Sequence, residues 1–221
     1  MPQVLSSIPQ IHPALDVMLR PLHRWFMRVY FGSITIHGQD HLPDQGPFVL
    51  ACKHFSRWDP LVVGLLSPKP LFFMTDAGQM QGLQGAVIKH LGAYPVDRDK
   101  PGKTSLKTTI ALLAEGQRLV IFPEGGIERE QTLRSLKPGL ARIVLQAETV
   151  TQRSIPIIPV TIKYEPDSIR GANVQVIVDL PIMASQFSGA NSKVVAQQMM
   201  EAIGEALEQN LQAAKEIQKN A

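Results

Sequence analysis

The stretch "PFVLACKHFSRWDPLVVGLL", residues 47–66, decides how the chain is read. It opens on an apolar run preceded by turn residues, which reads as a buried strand. It closes on Asp59-Pro60 followed by apolar residues, a helix start with proline at the first helical position. A strand therefore passes directly into a helix, and the polar residues 53–59 occupy the junction. The same alternation recurs along the chain. Strand patterns fall at 33–38, 70–75, 93–98, 154–164 and 173–180, and "QRLVIFPEGG" (117–126) is a strand running into a glycine-rich turn. Helical patterns fall at 79–92, 102–116, 137–148 and 190–219. Alternating strands and helices predict an α/β fold: a single domain with a mostly parallel central sheet flanked by helices, plus an N-terminal amphipathic helical arm. The arm is placed at 1–32 and the domain at 33–221.

Composition bounds the function. The chain has 221 residues, 44% hydrophobic and 19% charged, which suits one packed core rather than a disordered chain. Lys and Arg total 22 against 19 for Asp and Glu, and a net +3 is too mild to point to nucleic acid. Cys52 is the only cysteine, so no internal disulfide forms, in keeping with a reducing compartment. No secretory pattern opens the sequence. Apolar runs such as "LVVGLL" are core-sized, well short of the roughly 20 residues that span a bilayer.

The arm is distinctive. Arg20, Arg24 and Arg28 recur every four residues, and Leu15, Met18, Leu22, Trp25, Phe26 and Val29 recur at helical spacing. A basic amphipathic helix with aromatics suits a membrane interface, and equally a helix packed on its own domain. Pro21 predicts a kink or two short helices.

Polar groups gather after three of the predicted strands: His54 with Asp59, Asp97 with Arg98, and Pro123-Glu124-Gly125-Gly126. In a parallel sheet these ends share one edge, where ligand crevices form. An imidazole can take a proton from a hydroxyl, and a carboxylate on its other nitrogen fixes the tautomer. The same spacing also fits a plain helix cap beside a solvated histidine. Glycine in "FPEGG" allows a tight turn and close approach of a ligand to the backbone. Arg98 has the fork to hold a phosphate, or to pair with Asp97 or Asp99. Cys52, two residues before His54, leaves a covalent cysteine route open beside a simple core role. Trp58 suits an acyl entry or packing. No H-E-x-x-H or C-x-x-C spacing calls for a metal.

Four of these segments together resemble the glycerolipid acyltransferases, the family of 1-acylglycerol-3-phosphate acyltransferases. "KHFSRWD" matches the N-H-x-x-x-x-D block at His54 and Asp59, with Lys53 in place of the usual Asn. "GAYPVDR" matches the second block at Gly92 and Arg98, "FPEGGIE" the F-P-E-G-T-R-S block, and "IPIIPV" the apolar V-P-[IV]-x-P block. Lys137 and Gly139 match a K-x-G helix start. The likeness spans residues 45 to 165. It implies an acyltransferase moving a fatty acyl group from acyl-CoA or acyl-carrier protein to a lysolipid hydroxyl. His54 and Asp59 would be catalytic, and Arg98, Glu124, Gly125 and Lys137 would bind substrate. It implies no cofactor or metal, membrane lipids as partners, no nucleic acid, and peripheral or monotopic attachment at the cytoplasmic face of a membrane. One departure matters: Gly126-Ile127-Glu128 replaces the Thr-Arg-Ser that the family uses toward the acceptor phosphate. Ile127 lacks that charge, and Glu128 repels an anion. Another lysophospholipid or a non-phosphate long-chain alcohol therefore stays open as acceptor, as does a non-catalytic lipid-binding role.

Overall fold

The computed structural model describes residues 11, 13–82, 85, 88–89, 91–96, 103–130 and 132–219. The apolar runs become strands β1 (Ser33–His37), β2 (Phe48–Cys52), β3 (Leu71–Asp76), β4 (Ala93–Val96), β5 (Arg118–Ile121), β6 (Ile157–Glu165) and β7 (Asn173–Val178). They form one seven-stranded sheet in the order β1-β7-β6-β2-β5-β3-β4. Every neighbouring pair is parallel except β6 and β7. Those two are joined by the short loop 166–172, which has no room for the crossover that a parallel pair needs.

The helices are α1 (Pro13–Tyr30), α2 (Asp59–Val63), α3 (Lys103–Ala114), α4 (Gly139–Thr151) and α5 (Ser192–Lys219). The segment expected to be helical over 79–92 begins with a 3-10 turn at Ala77–Met80 and is helical at 82, 85, 88 and 89. β2 is buried at all five positions, so its side chains feed both faces of the sheet. On one face Val49, Leu119 and Ile157 pack with Leu140 and Val144 of α4 and Ile203 of α5. On the other face Leu50, Val120 and Ile158 pack with Val62 and Val63 of α2 and Met27 of α1. Each fully buried side chain of this size contributes roughly 1.5–3 kcal/mol.

These two faces fix where a site forms. β2 leads through α2 on one face and over β5 to β3. β5 leads through α4 on the opposite face and back over β2 to β6. Adjacent strands whose connections leave in opposite directions open a crevice at their C-terminal ends.

The arm is one helix over 13–30, not two short ones. An interior proline costs the helix one hydrogen bond and crowds the carbonyl four residues back, but α1 is tied down on both sides of Pro21. Arg20 pairs with Asp16 and donates to the Ser67 carbonyl at 3.2 Å, and Met27 is fully buried. The opposite side is uncovered: Met18, Leu22, Trp25 and Val29 are each more than half exposed. Among the described residues no helix is long and apolar enough to cross a membrane.

Candidate active site

β2 ends at Cys52, and the next seven residues turn back on themselves. The pivot is Asp59, fully buried at the start of α2. Its Oδ2 accepts from the backbone N–H groups of Phe55 (2.6 Å) and Ser56 (2.7 Å), and lies 2.9 Å from Nδ1 of His54. Its Oδ1 accepts from the Tyr164 hydroxyl at 2.8 Å. Removed from water, the carboxylate is matched instead by fixed donors. Burial, and then the charge and hydrogen bond of Asp59, push the Tyr164 phenol far up, so it remains a donor. The His54 imidazole is thereby held by one nitrogen, while Nε2 stays free for chemistry. Its ring stacks on Phe122, 4.1 Å between centroids and 23° between planes.

The turn after β5 closes over this pair. Gly125 has φ of +72°, which glycine adopts without strain, and its N–H donates to the Phe122 carbonyl at 3.0 Å. Glu124 is buried, and its carboxylate points inward. Oε2 accepts from the His54 backbone N–H at 2.8 Å and Oε1 from the Arg134 N–H at 3.1 Å. Glu124 therefore meets the site through the main chain of His54. Glu128 pairs with Arg134, so it presents no free carboxylate. Lys137 stands over Gly125, its Nζ 2.8 Å from where a Cβ on that glycine would lie. Arg98 lies outside the described residues.

His54, Gly125 and Lys137 line a cavity of about 1080 Å³. Its other walls are mainly apolar, among them Leu61, Phe73, Met74, Leu106, Ile121, Leu140 and Ile143. Arg57 and Arg142 reach it too, both exposed and without an acidic partner among the described residues. Cys52 does not reach it. That thiol is fully buried in the core layer with Met27 and Val62, and burial, then the Asp59 charge, raise its pKa. Trp58 packs against α1, with ring centroids 4.2 Å from Tyr30 and 5.7 Å from Phe31. His37 and His41 serve the sheet, bonded to Gln175 and to the Val178 carbonyl.

Three contributors were not legible as site residues in the sequence. Tyr164 lies 105 positions from Asp59, and only the β2–β6 pairing brings it near. Phe122 sits inside a recognised motif, but nothing there announces a ring stacked on His54. Lys53 was visible only as a departure from an expected Asn.

The fold and site define an α/β enzyme that holds a histidine–carboxylate pair at a switch point, facing a mostly apolar cavity. Comparison with known proteins supplies the family. An acyltransferase family model matches residues 33–163, and the chain belongs to that family. It is 28% identical over 185 residues to the 1-acyl-sn-glycerol-3-phosphate acyltransferase of Bacillus subtilis, covering 80% of this chain and 88% of that one. Against the enzyme of the same name from Streptococcus pneumoniae it is 29% identical over 134 residues, 59% of this chain and 47% of that one. The crystal structure of the 1-acyl-sn-glycerophosphate (LPA) acyltransferase PlsC from Thermotoga maritima has the same fold. It matches with a TM-score of 0.69 at 17% identity, over 89% of this chain and 79% of that one.

Proposed function

We propose that this acyltransferase moves a fatty acyl group from acyl-CoA or acyl-carrier protein to the hydroxyl of a lysolipid, with lysophosphatidic acid the first candidate. The observation that carries this reading is His54, fixed through Nδ1 by a buried carboxylate 2.9 Å away and facing a cavity with walls suited to an acyl chain. Nε2 of His54 removes the hydroxyl proton, and the oxygen attacks the thioester carbonyl. Asp59 stabilises the imidazolium that forms. Backbone N–H groups of the turns around the cavity are candidates to receive the oxyanion. As the tetrahedral intermediate collapses, the C–S bond breaks and the imidazolium returns its proton to the departing thiolate. Direct attack fits the burial of Cys52 better than an acyl-enzyme does.

Arg98 and Lys137 hold the anionic head of the acceptor, with Gly125 giving it room. Arg57, on the wall of the same cavity, supplies charge that Ile127 does not. The shared name of the relatives favours a 1-acylglycerol-3-phosphate acceptor. The Ile127 departure keeps another lysophospholipid as the second reading. The uncovered apolar side of α1, flanked by exposed Arg24 and Arg28, suits peripheral or monotopic attachment to the cytoplasmic face of a membrane.

The test is a turnover screen of the purified protein. Labelled acyl-CoA and acyl-carrier protein are each offered with lysophosphatidic acid, other lysophospholipids and a neutral monoacylglycerol. Acylation of a lysolipid that His54→Ala abolishes supports the reading. Binding of lipid with no turnover for any pair refutes it in favour of a lipid carrier.

A further inference from the structure

Lys53 is an anomaly on physical grounds. It is 1% exposed, and a lysine is almost never buried without a partner. Its ammonium lies 3.5 Å from Oε1 of Glu124, whose side chain is fully buried, and donates to the Glu128 carbonyl at 3.1 Å. Neither charge faces the cavity, so the pair is not there to touch substrate. A buried pair of this kind is weak evidence for stability, since desolvation offsets most of the attraction. What the pair does accomplish is local. Glu124 grips the N–H of His54 at 2.8 Å, and Glu128 donates its own N–H to the His54 carbonyl at 2.7 Å. Both peptide groups of His54 are thus held by the turn after β5, and Lys53 contacts both residues that hold them.

We propose that Lys53 is a positioning residue for acyl transfer, its ammonium locking the 124–128 turn onto the main chain of His54 so that the imidazole keeps its aim at the cavity. The inference rests on the reading of His54 as the base. The charged groups around Glu124 are Lys53 from the end of β2, Glu128 with its partner Arg134, and the His54–Asp59 pair. Lys137 stands over the next residue, Gly125. Of these, Lys53 is the cation in contact with the Glu124 carboxylate. Without it the buried carboxylate has no contacting cation and only the backbone N–H groups of His54 and Arg134, an arrangement that burial makes costly. The turn then loosens, and its grip on His54 slackens.

The experiment compares wild type, Lys53→Met and Lys53→Gln as full-length proteins. Initial rates are taken with acyl-CoA and the best lysolipid acceptor, beside thermal melting. The expected result for Lys53→Met is a kcat about 100-fold lower with KM for the acceptor within about threefold. Lys53→Gln, which keeps a donor without the charge, falls between. A folded Lys53→Met with wild-type kcat overturns the proposal, as does a deficit that appears in KM alone. Should Lys53→Met fail to fold, Lys53→Gln decides by the same criteria. Failure of both to fold assigns Lys53 to stability and overturns it as well. An inactive wild type refutes the acyl-transfer reading itself, separately from these outcomes.

Discussion

Asp59→Asn separates the charge of Asp59 from its shape. The carboxylate has two distinct sides: Oδ2 meets the N–H groups of Phe55, Ser56 and His54, while Oδ1 meets the Tyr164 hydroxyl. An asparagine amide can occupy the same volume with its oxygen toward the three N–H donors. Its NH₂ then faces Tyr164, whose hydroxyl can rotate to accept. The hydrogen bonds survive and the negative charge does not. On the proposed mechanism, what is lost is attraction to the imidazolium that forms as His54 takes the proton. Two charges about 4 Å apart at an effective dielectric near 20 interact by about 4 kcal/mol. That corresponds to a loss on the order of 10³ in kcat. Initial rates with labelled acyl-CoA and lysolipid, with melting to show that the variant is folded, provide the measurement. A folded Asp59→Asn with kcat within about 10-fold of wild type refutes the argument that the carboxylate stabilises a developing imidazolium.

Cys52→Ala is expected to keep kcat within about twofold and to lower stability by about 1 kcal/mol, since the thiol is a packing group; abolished turnover would revive a covalent intermediate. Arg57→Ala and Lys137→Ala should each raise KM for lysophosphatidic acid about tenfold, the loss of one charge-assisted contact, with little change for a neutral monoacylglycerol. An equal rise for both acceptors removes these cations from head-group binding. His23 gives a pH prediction. Burial first, then Arg24 and Arg20, lower its pKa against a hydrogen bond to the Leu61 backbone that raises it. The folded state thus binds fewer protons than the unfolded chain, so the stability tied to neutral His23 is present above about pH 6.5 and lost as pH falls below it. Melting curves from pH 7.5 to 5.5 should show a smaller acid-side loss for His23→Gln than for wild type. Trp25→Ser with Val29→Ser should weaken sedimentation with anionic vesicles by about 100-fold, since each removes roughly 1.5 kcal/mol or more of apolar burial. Unchanged sedimentation would detach α1 from membrane binding.

The central strands β2, β5 and β6 were legible because they are buried on both faces and stand out as apolar runs, with Phe48–Cys52 the clearest. The antiparallel turn of β7 was not, because direction follows from the length of a loop rather than from the strand itself. His54 and Asp59 could be paired on paper because five positions suffice for the chain to fold back. Tyr164 could not, since its contribution depends on a register between distant strands. Glu124 shows the limit of motif reading. The motif placed it among the substrate-binding residues, yet two backbone N–H groups and a buried lysine turn its carboxylate in. Pro21 left a kink or two short helices open on local propensity, and anchoring on both sides kept one helix.

Trp58 belongs to the turn between His54 and Asp59, and its ring is wedged among Phe26, Tyr30 and Phe31 at the end of α1. The arm and the His54 imidazole therefore share an aromatic joint with no slack linker between them. A surface that gripped the outer side of α1 would thereby also set the compass bearing of the cavity mouth, making anchoring and aiming one mechanical act.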